Sequence, residues 1–115
     1  MKLNLVPSEP LSQVVFIHDY LQLVFQGESF SVYNVSKLVH NGTELIQGQS
    51  GFCDAMVNLI GQRVVTAAVS TENPLSLSFE SGSKFSVLPG SVGARGPEAF
   101  QFTGRYNQII VEQNA

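Results

Sequence analysis

Cys53, His18 and His40 are the residues that could supply nucleophilic catalysis in this chain of 115 residues. A cysteine attacks a substrate as its thiolate, which a neighbouring imidazole or a helix N-terminus stabilises. Cys53 falls in the first turn of a predicted helix, but it also falls on the apolar flank of that helix, where a free cysteine is commonly a small buried hydrophobe. The sequence therefore favours a structural Cys53, and no catalytic residue is predicted.

His18 and Asp19 are adjacent residues whose side chains could ligate a metal ion. A metal site needs three or four converging nitrogen, oxygen or sulfur atoms, and the sequence offers no second cluster at ligand spacing. The pair is therefore interpreted as the end of a strand followed by a turn. No metal and no cofactor are expected.

The glycine-rich segment at residues 90–96, GSVGARG, has the composition of a phosphate-binding loop. Such a loop binds an anion when a helix N-terminus follows it, whereas a Pro-Glu pair and the strand-like AFQFT follow here. The segment is therefore interpreted as a flexible connection. Arg95 and Glu98 remain as a polar pair that could converge with His18 and Asp19 at a ligand site, if the ends of the strands meet there.

Two similar hairpins determine which elements position these residues. In residues 75–88, LSLSFESGSKFSVL, apolar and polar residues alternate with the period of a β-strand on both sides of Ser81-Gly82. Residues 21–33, LQLVFQGESFSVY, repeat the pattern around a turn centred on Gly27-Glu28. The matching residues are Leu21, Leu23, Phe25, Phe30, Ser31 and Val32 in the first hairpin and Leu75, Leu77, Phe79, Phe85, Ser86 and Val87 in the second.

Each hairpin is preceded by a further predicted strand, at residues 13–19 and 63–69. Because the first of these is apolar on both alternations, we expect both of its faces to be covered. The chain is thus predicted to be one domain, residues 1–115, with an internal repeat at 13–34 and 62–88. The predicted fold is mainly β (α+β): two similar three-stranded antiparallel meanders that form a small roll or sandwich, with one α-helix between them.

The helix is predicted over residues 50–60. Ser50 can cap its N-terminus, Asp54 lies near the positive end of the helix dipole, and Gly61 ends it. Its apolar face is formed by Phe52, Met56, Leu59 and Ile60, widened by Cys53 and Val57.

Three smaller features complete the assignment. Asn41-Gly42 between two short apolar pieces predicts a further hairpin with a type I′ turn. Residues 99–103 and 108–111 predict one or two final strands. The serines at alternate strand positions are expected on a solvated sheet face, namely Ser31, Ser76, Ser78 and Ser86.

The composition of the chain excludes some functions and favours self-association. The net charge is -3 and the six basic residues are scattered, so the basic stripe of a nucleic-acid-binding protein is missing from the sequence. The chain is 43% hydrophobic and 13% charged, which is typical of a folded domain with an apolar surface. We therefore expect a homodimer, with the strand at residues 108–111 as the edge that makes the contact.

Three observations favour a cytoplasmic protein. Cys53 is the one cysteine, so no internal disulfide argues for an oxidising compartment. The apolar stretch in MKLNLVPSEP is too short for a signal-peptide core. No window approaches the roughly 18 apolar residues of a membrane span, and no membrane association is expected.

Residues 61–99 carry a pattern of a strand, the LxLxF strand at Leu75, a glycine turn, a returning strand and Gly96-Pro97-Glu98. This pattern resembles small uncharacterised bacterial β-rich proteins, some of which lie beside polymorphic toxins and are taken to be immunity proteins. The resemblance implies a small β-rich domain and brings no catalytic residue with it. The first half of the chain shares the hairpin but lacks a Gly-Pro-Glu equivalent.

Two hypotheses for function follow. The first is a non-enzymatic binding or interaction module, in the form of an immunity-like inhibitor or another protein-binding domain that acts through a sheet face or its loops. The alternative is a small-ligand-binding protein or small enzyme, with a pocket between the two meanders where His18, Asp19, Arg95 and Glu98 converge.

Overall fold

Ten β-strands and two short helices make up the computed structural model, which describes residues 5–114. The fold is mainly β, as predicted. In chain order the elements are β1 Leu11–Ile17, β2 Tyr20–Phe25, β3 Glu28–Val32, β4 Ser36–His40, β5 Thr43–Ile46, α1 Phe52–Val57, β6 Val64–Ala68, β7 Leu75–Phe79, β8 Lys84–Val87, α2 Gly90–Gly93, β9 Glu98–Thr103 and β10 Ile109–Gln113, with one turn of 3-10 helix at Arg105–Asn107 between the last two strands. Neither helix is long and apolar enough to cross a bilayer.

The strands form two five-stranded antiparallel sheets that each combine a meander with a hairpin from elsewhere in the chain. Sheet A has the order β1-β2-β3-β9-β10, and sheet B has the order β5-β4-β8-β7-β6. The hairpin β4–β5 follows the first meander in sequence but joins the second, and β9–β10 follows the second meander but joins the first. In each sheet the added hairpin pairs with the third strand of the meander, β9 with β3 in sheet A and β4 with β8 in sheet B. The two sheets therefore have the same arrangement of strands.

The two meanders also share their register. Leu23 lies opposite Phe30 in the first hairpin, and Leu77 lies opposite Phe85 in the second. The first strand of each meander has its irregularity at the same place. It directly follows Leu11, which pairs with Phe25, in β1 and Val64, which pairs with Phe79, in β6. The predicted correspondence of residues therefore holds in strand pairing.

The core lies between the sheets and is formed by alternate strand residues. Leu21, Leu23 and Phe25 of β2 are buried, as are Leu75, Leu77 and Phe79 of β7, because the pleat directs every second side chain to one face. Phe30 contacts Phe102 across the pairing of β3 with β9, with ring centroids 4.9 Å apart. One cluster of buried apolar side chains includes residues from both sheets and from α1.

Helix α1 is shorter than predicted and begins differently. Gly51 occupies the N-cap with φ 92°, and no side chain caps the helix, so the prediction for Ser50 is wrong. The regular helix ends at Val57, and turns continue to Gly61, whose φ of 94° lies in the left-handed region that favours glycine. Phe52 and Met56 are buried, with Leu59 beyond the helix.

Strand β1 is an edge strand, and the expectation that both of its faces are covered is wrong. Phe16 is 43% exposed and Ile17 is 38% exposed, because only β2 pairs with β1 and the core narrows at the rim of the sheet. Apolar residues on both alternations here indicate a sheet rim and not a buried central strand. Strand β10 is the other edge of sheet A, as predicted.

One predicted turn is confirmed and another is displaced by one residue. Asn41 and Gly42 have φ of 51° and 77° and join β4 to β5, which confirms the Asn-Gly hairpin. The turn of the first hairpin is Gln26-Gly27, since Phe25 pairs with Glu28, one residue before the predicted centre.

The first half of the glycine-rich segment is packed, contrary to its interpretation as a flexible connection, whereas residues 94–96 are exposed. It begins as α2, and Gly93 accepts a hydrogen bond from the Val35 backbone N–H at 2.8 Å. A Cβ atom at Gly93 would lie 2.8 Å from the Leu88 Cβ atom, so the close approach requires glycine.

The alternate serines do not lie on a solvated face, contrary to expectation. Ser31, Ser76 and Ser86 are buried on the outer faces of their sheets. Ser76 and Ser86 form a hydrogen bond at 3.2 Å, and at the matching position of sheet A the Gln22 Nε2 atom donates to the Ser31 Oγ atom at 3.2 Å. Small hydroxyl side chains are covered by larger neighbours and satisfy each other across the strands.

Candidate functional site

Three of the four predicted ligand-binding residues line one cleft of about 160 Å³. Asp19, Arg95 and Glu98 form its charged part, and Tyr33, Gly96 and Pro97 complete the lining. His18 is exposed and does not line this cleft. The convergence that the sequence suggested is thus present for Asp19, Arg95 and Glu98 and not for His18.

Sheet A explains why these residues meet. Asp19 lies in the turn between β1 and β2, Tyr33 follows β3, and Arg95 precedes β9, which pairs with β3. The Tyr20 and Tyr33 rings pack at a centroid distance of 5.5 Å beside the cleft. The β1–β2 turn and the segment that crosses to β9 are distant in sequence, but both lie at the same end of sheet A.

The charged groups of the cleft have no partner within residues 5–114. The Arg95 guanidinium and the Asp19 and Glu98 carboxylates make neither a side-chain hydrogen bond nor an ion pair within 4.0 Å. Arg95 and Asp19 are exposed, while Glu98 is half-buried. A cleft lined by one cation and two carboxylates can bind a small molecule that carries both charges, but none of its lining residues is a cysteine, serine or threonine nucleophile.

The cysteine and histidine residues do not form a catalytic pair. Cys53 is exposed, so the prediction of a buried cysteine is wrong; α1 directs Phe52 and Met56 to the core and leaves Cys53 at the solvent side. The His40 Nδ1 atom lies 2.6 Å from the Ser83 Oγ atom, and its Nε2 atom lies 3.2 Å from the Asn41 Nδ2 atom. Both ring nitrogens are thus occupied within the β4–β5 hairpin and its neighbour β8.

No group of three or more His, Cys, Asp or Glu side chains within the described range is placed to hold a metal ion. His18 and Asp19 remain adjacent in sequence, at the turn that follows β1, where both are exposed. Two ligands at an exposed turn do not make a metal site.

A second cleft, larger than the one at Asp19, was not predicted from the sequence. It has a volume of about 590 Å³ and lies between the end of β6, the start of α2 and the end of β10. We call it the side cleft; its lining residues are Val69, Ser70, Thr71, Pro74, Pro89, Gly90, Ser91, Glu112, Gln113 and Asn114. They come from three separate segments, and the one usable sequence signal was the predicted edge strand at residues 108–111.

The outer face of sheet A, here called face A, has an unusual composition. Its side chains alternate with the buried core residues, and hydrogen bonds such as that between Gln22 and Ser31 confirm the shared face. Face A consists of Gln13, Val15, Ile17, Tyr20, Gln22, Val24, Ser29, Ser31, Tyr33, Gln101, Thr103, Ile109, Val111 and Gln113. None of these residues carries a charge, and the charged Glu98 pairs with Gln113 at one end of the face, whereas the outer face of sheet B carries Lys37, Glu44 and Lys84 along its strands.

Comparison of the chain with protein-family models, with curated proteins and with solved structures finds no significant match.

Proposed function

We propose that the protein is a non-enzymatic binding module that acts through face A, and that the partner it binds there is a second copy of the same chain. The observation that carries this proposal is the lack of charged side chains across the centre of face A, where the nearest charged residues, Asp19, Arg95 and Glu98, lie at one end of the sheet beside Tyr33. The cores of protein–protein interfaces are depleted in Lys, Glu and Asp and enriched in aromatic residues. Tyr20 and Tyr33 supply such a pair of rings on this face.

The difference between the two sheets supports the choice of surface. Lys37 and Glu44 lie 3.9 Å apart on the outer face of sheet B, where both ions are solvated and would lose water in a contact. Face A has amide and hydroxyl groups in their place, several of which already hydrogen-bond to each other. Gln101 Nε2 donates to Thr103 Oγ1 at 3.4 Å, for example.

The size of the molecule is sufficient for such a contact. A standard interface buries about 800 Å² on each partner. The molecule measures 37 × 31 × 25 Å, so one broad face can supply this area. A twofold contact between identical faces closes on itself and gives a homodimer, which is the most common symmetric assembly.

The outward residues of β10 contribute to this contact. Ile109 is 60% exposed and Val111 is 39% exposed on face A, while Ile110 between them packs against the core. Ile109 and Val111 are therefore the residues of the edge strand to substitute. Replacement of Ile110 would damage the fold as well, because this side chain packs against the core.

Light scattering over a range of micromolar concentrations tests the proposal. The wild-type chain is expected to give twice the mass of one 12.5 kDa chain, and Val111→Lys, which places a charge in the contact, is expected to give the single mass. Thr66→Lys, an exposed position on the outer face of sheet B, is the matched control and should stay dimeric. A wild-type protein that remains a monomer at every concentration would refute the homodimer.

The inhibitor role implied by the resemblance of residues 61–99 is the form of this function in which another protein occupies face A. A monomeric wild-type chain whose face A resonances shift with a purified partner would favour that form.

A cytoplasmic location suits the exposed Cys53, because a free thiol persists in a reducing compartment.

The cleft at Asp19, Arg95 and Glu98 supports the alternative function of small-ligand binding. Its volume of about 160 Å³ lies below the range of about 300–1,000 Å³ of drug-sized ligand sites, so it suits a ligand no larger than an amino acid. A zwitterion would pair its carboxylate with Arg95 and its ammonium group with Glu98. Amide chemical shifts in a titration with free amino acids would reveal this binding, and Arg95→Gln should abolish it.

A further inference from the structure

The two long sides of the sandwich differ in what covers them. On one side, α1 contacts β1 of sheet A and β4 of sheet B, and the segment that follows it exchanges two backbone hydrogen bonds with Leu11. On the other side, the edge strands β6 and β10 flank the side cleft, and no helix of the described chain lies across it. The two sides have the same arrangement of strands. The side with β6 and β10 therefore has the geometry of the other side, but no helix of residues 5–114 lies in the place of α1.

The walls of the side cleft are tightly built. Asn114 holds the end of β10 through a hydrogen bond from its backbone N–H to the Pro97 carbonyl at 2.7 Å and one from its Nδ2 atom to the Gly96 carbonyl at 2.8 Å. On the facing wall, a Cβ atom at Gly90 would lie 2.9 Å from the Asn114 Oδ1 atom. The cleft is thus a fixed feature between packed segments.

Glu112 is the one ionisable residue among those that line the side cleft, and its position has an informative counterpart. Glu112 pairs with Phe100 at the end of β10, and Gln47 holds the matching place after β5, where its backbone N–H donates to the Ser36 carbonyl. The Gln47 Oε1 atom accepts hydrogen bonds from the Ser36 N–H at 3.0 Å and the Ser36 hydroxyl at 3.2 Å. The covered side therefore has a neutral, satisfied amide at this position.

On the open side the same position carries a charge with no partner. The Glu112 carboxylate is half-buried and makes neither a hydrogen bond nor an ion pair with the described residues. It lies on the same face of β10 as Ile110, which packs against the core, so it is directed between the sheets. A partly desolvated carboxylate gains most from a cation that enters the cleft.

The edge of β10 supplies the second half of a recognition surface. One side of β10 pairs with β9, and within residues 5–114 no strand of sheet A lies on its other side. Unpaired backbone N–H and C=O groups at a sheet edge bind an extended peptide by strand addition, and the side chains opposite the edge residues determine which peptide is accepted. The residues of an added strand that lie opposite Ile110 and Glu112 would be two positions apart, and both would direct their side chains to the inner face.

We propose that the side cleft binds an extended segment of a partner protein that carries a Lys or Arg side chain. The segment adds to β10 as a sixth strand, its basic side chain pairs with Glu112, and an apolar side chain two residues away packs beside Ile110. Val69, Pro74 and Pro89 provide apolar surface for the stem of the basic side chain. The two residues that recognise the segment, Ile110 and Glu112, lie on the surface of β10 opposite to face A, and Gln113 at the edge of the cleft is the one residue that belongs to both surfaces.

The probe is a blocked octapeptide that carries a fluorescein label. Its residues are threonines except for one leucine and, two residues later, one lysine. A control peptide has norleucine in place of the lysine. In fluorescence anisotropy titrations at pH 7, the lysine peptide is expected to bind about fivefold more tightly than the norleucine peptide, a typical difference for one partly exposed ion pair. Glu112→Gln should remove this difference and leave the norleucine peptide unaffected. Glu44→Gln, an exposed acid on the edge strand β5, is the matched control and should retain it.

A third peptide, with lysine retained and alternate backbone nitrogens methylated, tests strand addition. Loss of its binding supports the proposal, because methylation removes the donors that pair with the edge. Three results would each overturn the proposal. The first is full-strength binding of the methylated peptide, and the second is displacement of the lysine peptide by free n-butylamine at the same concentrations as by unlabelled peptide. The third is a preference for lysine that is unchanged in Glu112→Gln. Circular dichroism of the variants establishes that they are folded.

Discussion

Asn34 and Asn114 exchange side-chain hydrogen bonds in both directions. The Asn34 Nδ2 atom donates to the Asn114 Oδ1 atom at 2.8 Å, and the Asn114 Nδ2 atom donates to the Asn34 Oδ1 atom at 2.9 Å. The second donors of the two amides reach the Leu88 and Gly96 carbonyls. One amide pair, in which Asn34 is buried and Asn114 is half-buried, thus joins the end of β10 to both segments that cross between the sheets.

Asn34→Asp is expected to lower the free energy of unfolding by at least about 2 kcal/mol. Asn34 is 1% exposed, and the substitution replaces two donated hydrogen bonds with carboxylate oxygens that face carbonyl oxygens. Urea denaturation at pH 7 measures the change. Asn58→Asp, at an exposed position, should alter the same quantity by less than about 0.5 kcal/mol; equal losses would mean that the amide pair contributes nothing specific.

Gly93→Ala should destabilise the protein by about 1–3 kcal/mol, whereas Gly96→Ala should be neutral or slightly stabilising. The new methyl group at position 93 would lie 2.8 Å from the Leu88 Cβ atom, so the backbone must shift. At Gly96 no atom lies within 4 Å of the added Cβ, and alanine restricts the unfolded chain. Melting temperatures of the two variants give the comparison, and a tolerated Gly93→Ala would mean that α2 is not held against the β3–β4 crossing.

Met56→Asp and Val57→Asp test which face of α1 packs on the sheets. Met56 is fully buried and Val57 is 49% exposed, so the same carboxylate is introduced in two different environments one residue apart. We expect the first substitution to cost on the order of 3 kcal/mol or more and the second less than about 1 kcal/mol. Chemical denaturation measures both, and a larger loss for Val57→Asp would reverse the assignment.

The buried pair Ser76 and Ser86 is suited to a double-mutant cycle. Each single substitution to alanine leaves one hydroxyl group without its 3.2 Å partner and should cost about 1 kcal/mol. The double variant should be nearly as stable as the wild type, because both polar groups are then removed. Strictly additive losses would show that the two hydroxyl groups do not depend on each other.

The hairpins and the helix position could be predicted from sequence because their signals are local. Alternation at Leu75 and Leu77, the Asn41-Gly42 turn and the spacing of Phe52 and Met56 each depend on neighbours within a few residues. The exchange of hairpins between sheets could not be predicted in this way. It depends on pairings such as Phe30 with Phe102, which no local pattern specifies.

Burial at the rims of the sheets was also beyond the local pattern. Apolar residues such as Phe16 suggested a covered strand, and serines such as Ser86 suggested a solvated one, yet the exposure of both is decided by neighbours in the finished sheet. Asp19, Arg95 and Glu98 could be predicted as a group because all three lie at the ends of strands. Glu112 was missed because its significance depends on the cleft and on comparison with Gln47.

The exchange of hairpins has a consequence for how the chain folds. Sheet A is incomplete until β9 reaches β3, and sheet B is incomplete until β8 reaches β4, so neither half of the sequence can form a finished sheet from its own residues. Non-local pairings raise the contact order, and we expect single-domain refolding in milliseconds to seconds instead of microseconds. The slowest-exchanging amides of the two sheets should accordingly report one common opening free energy, whereas separate values would show that the interlocked halves open independently.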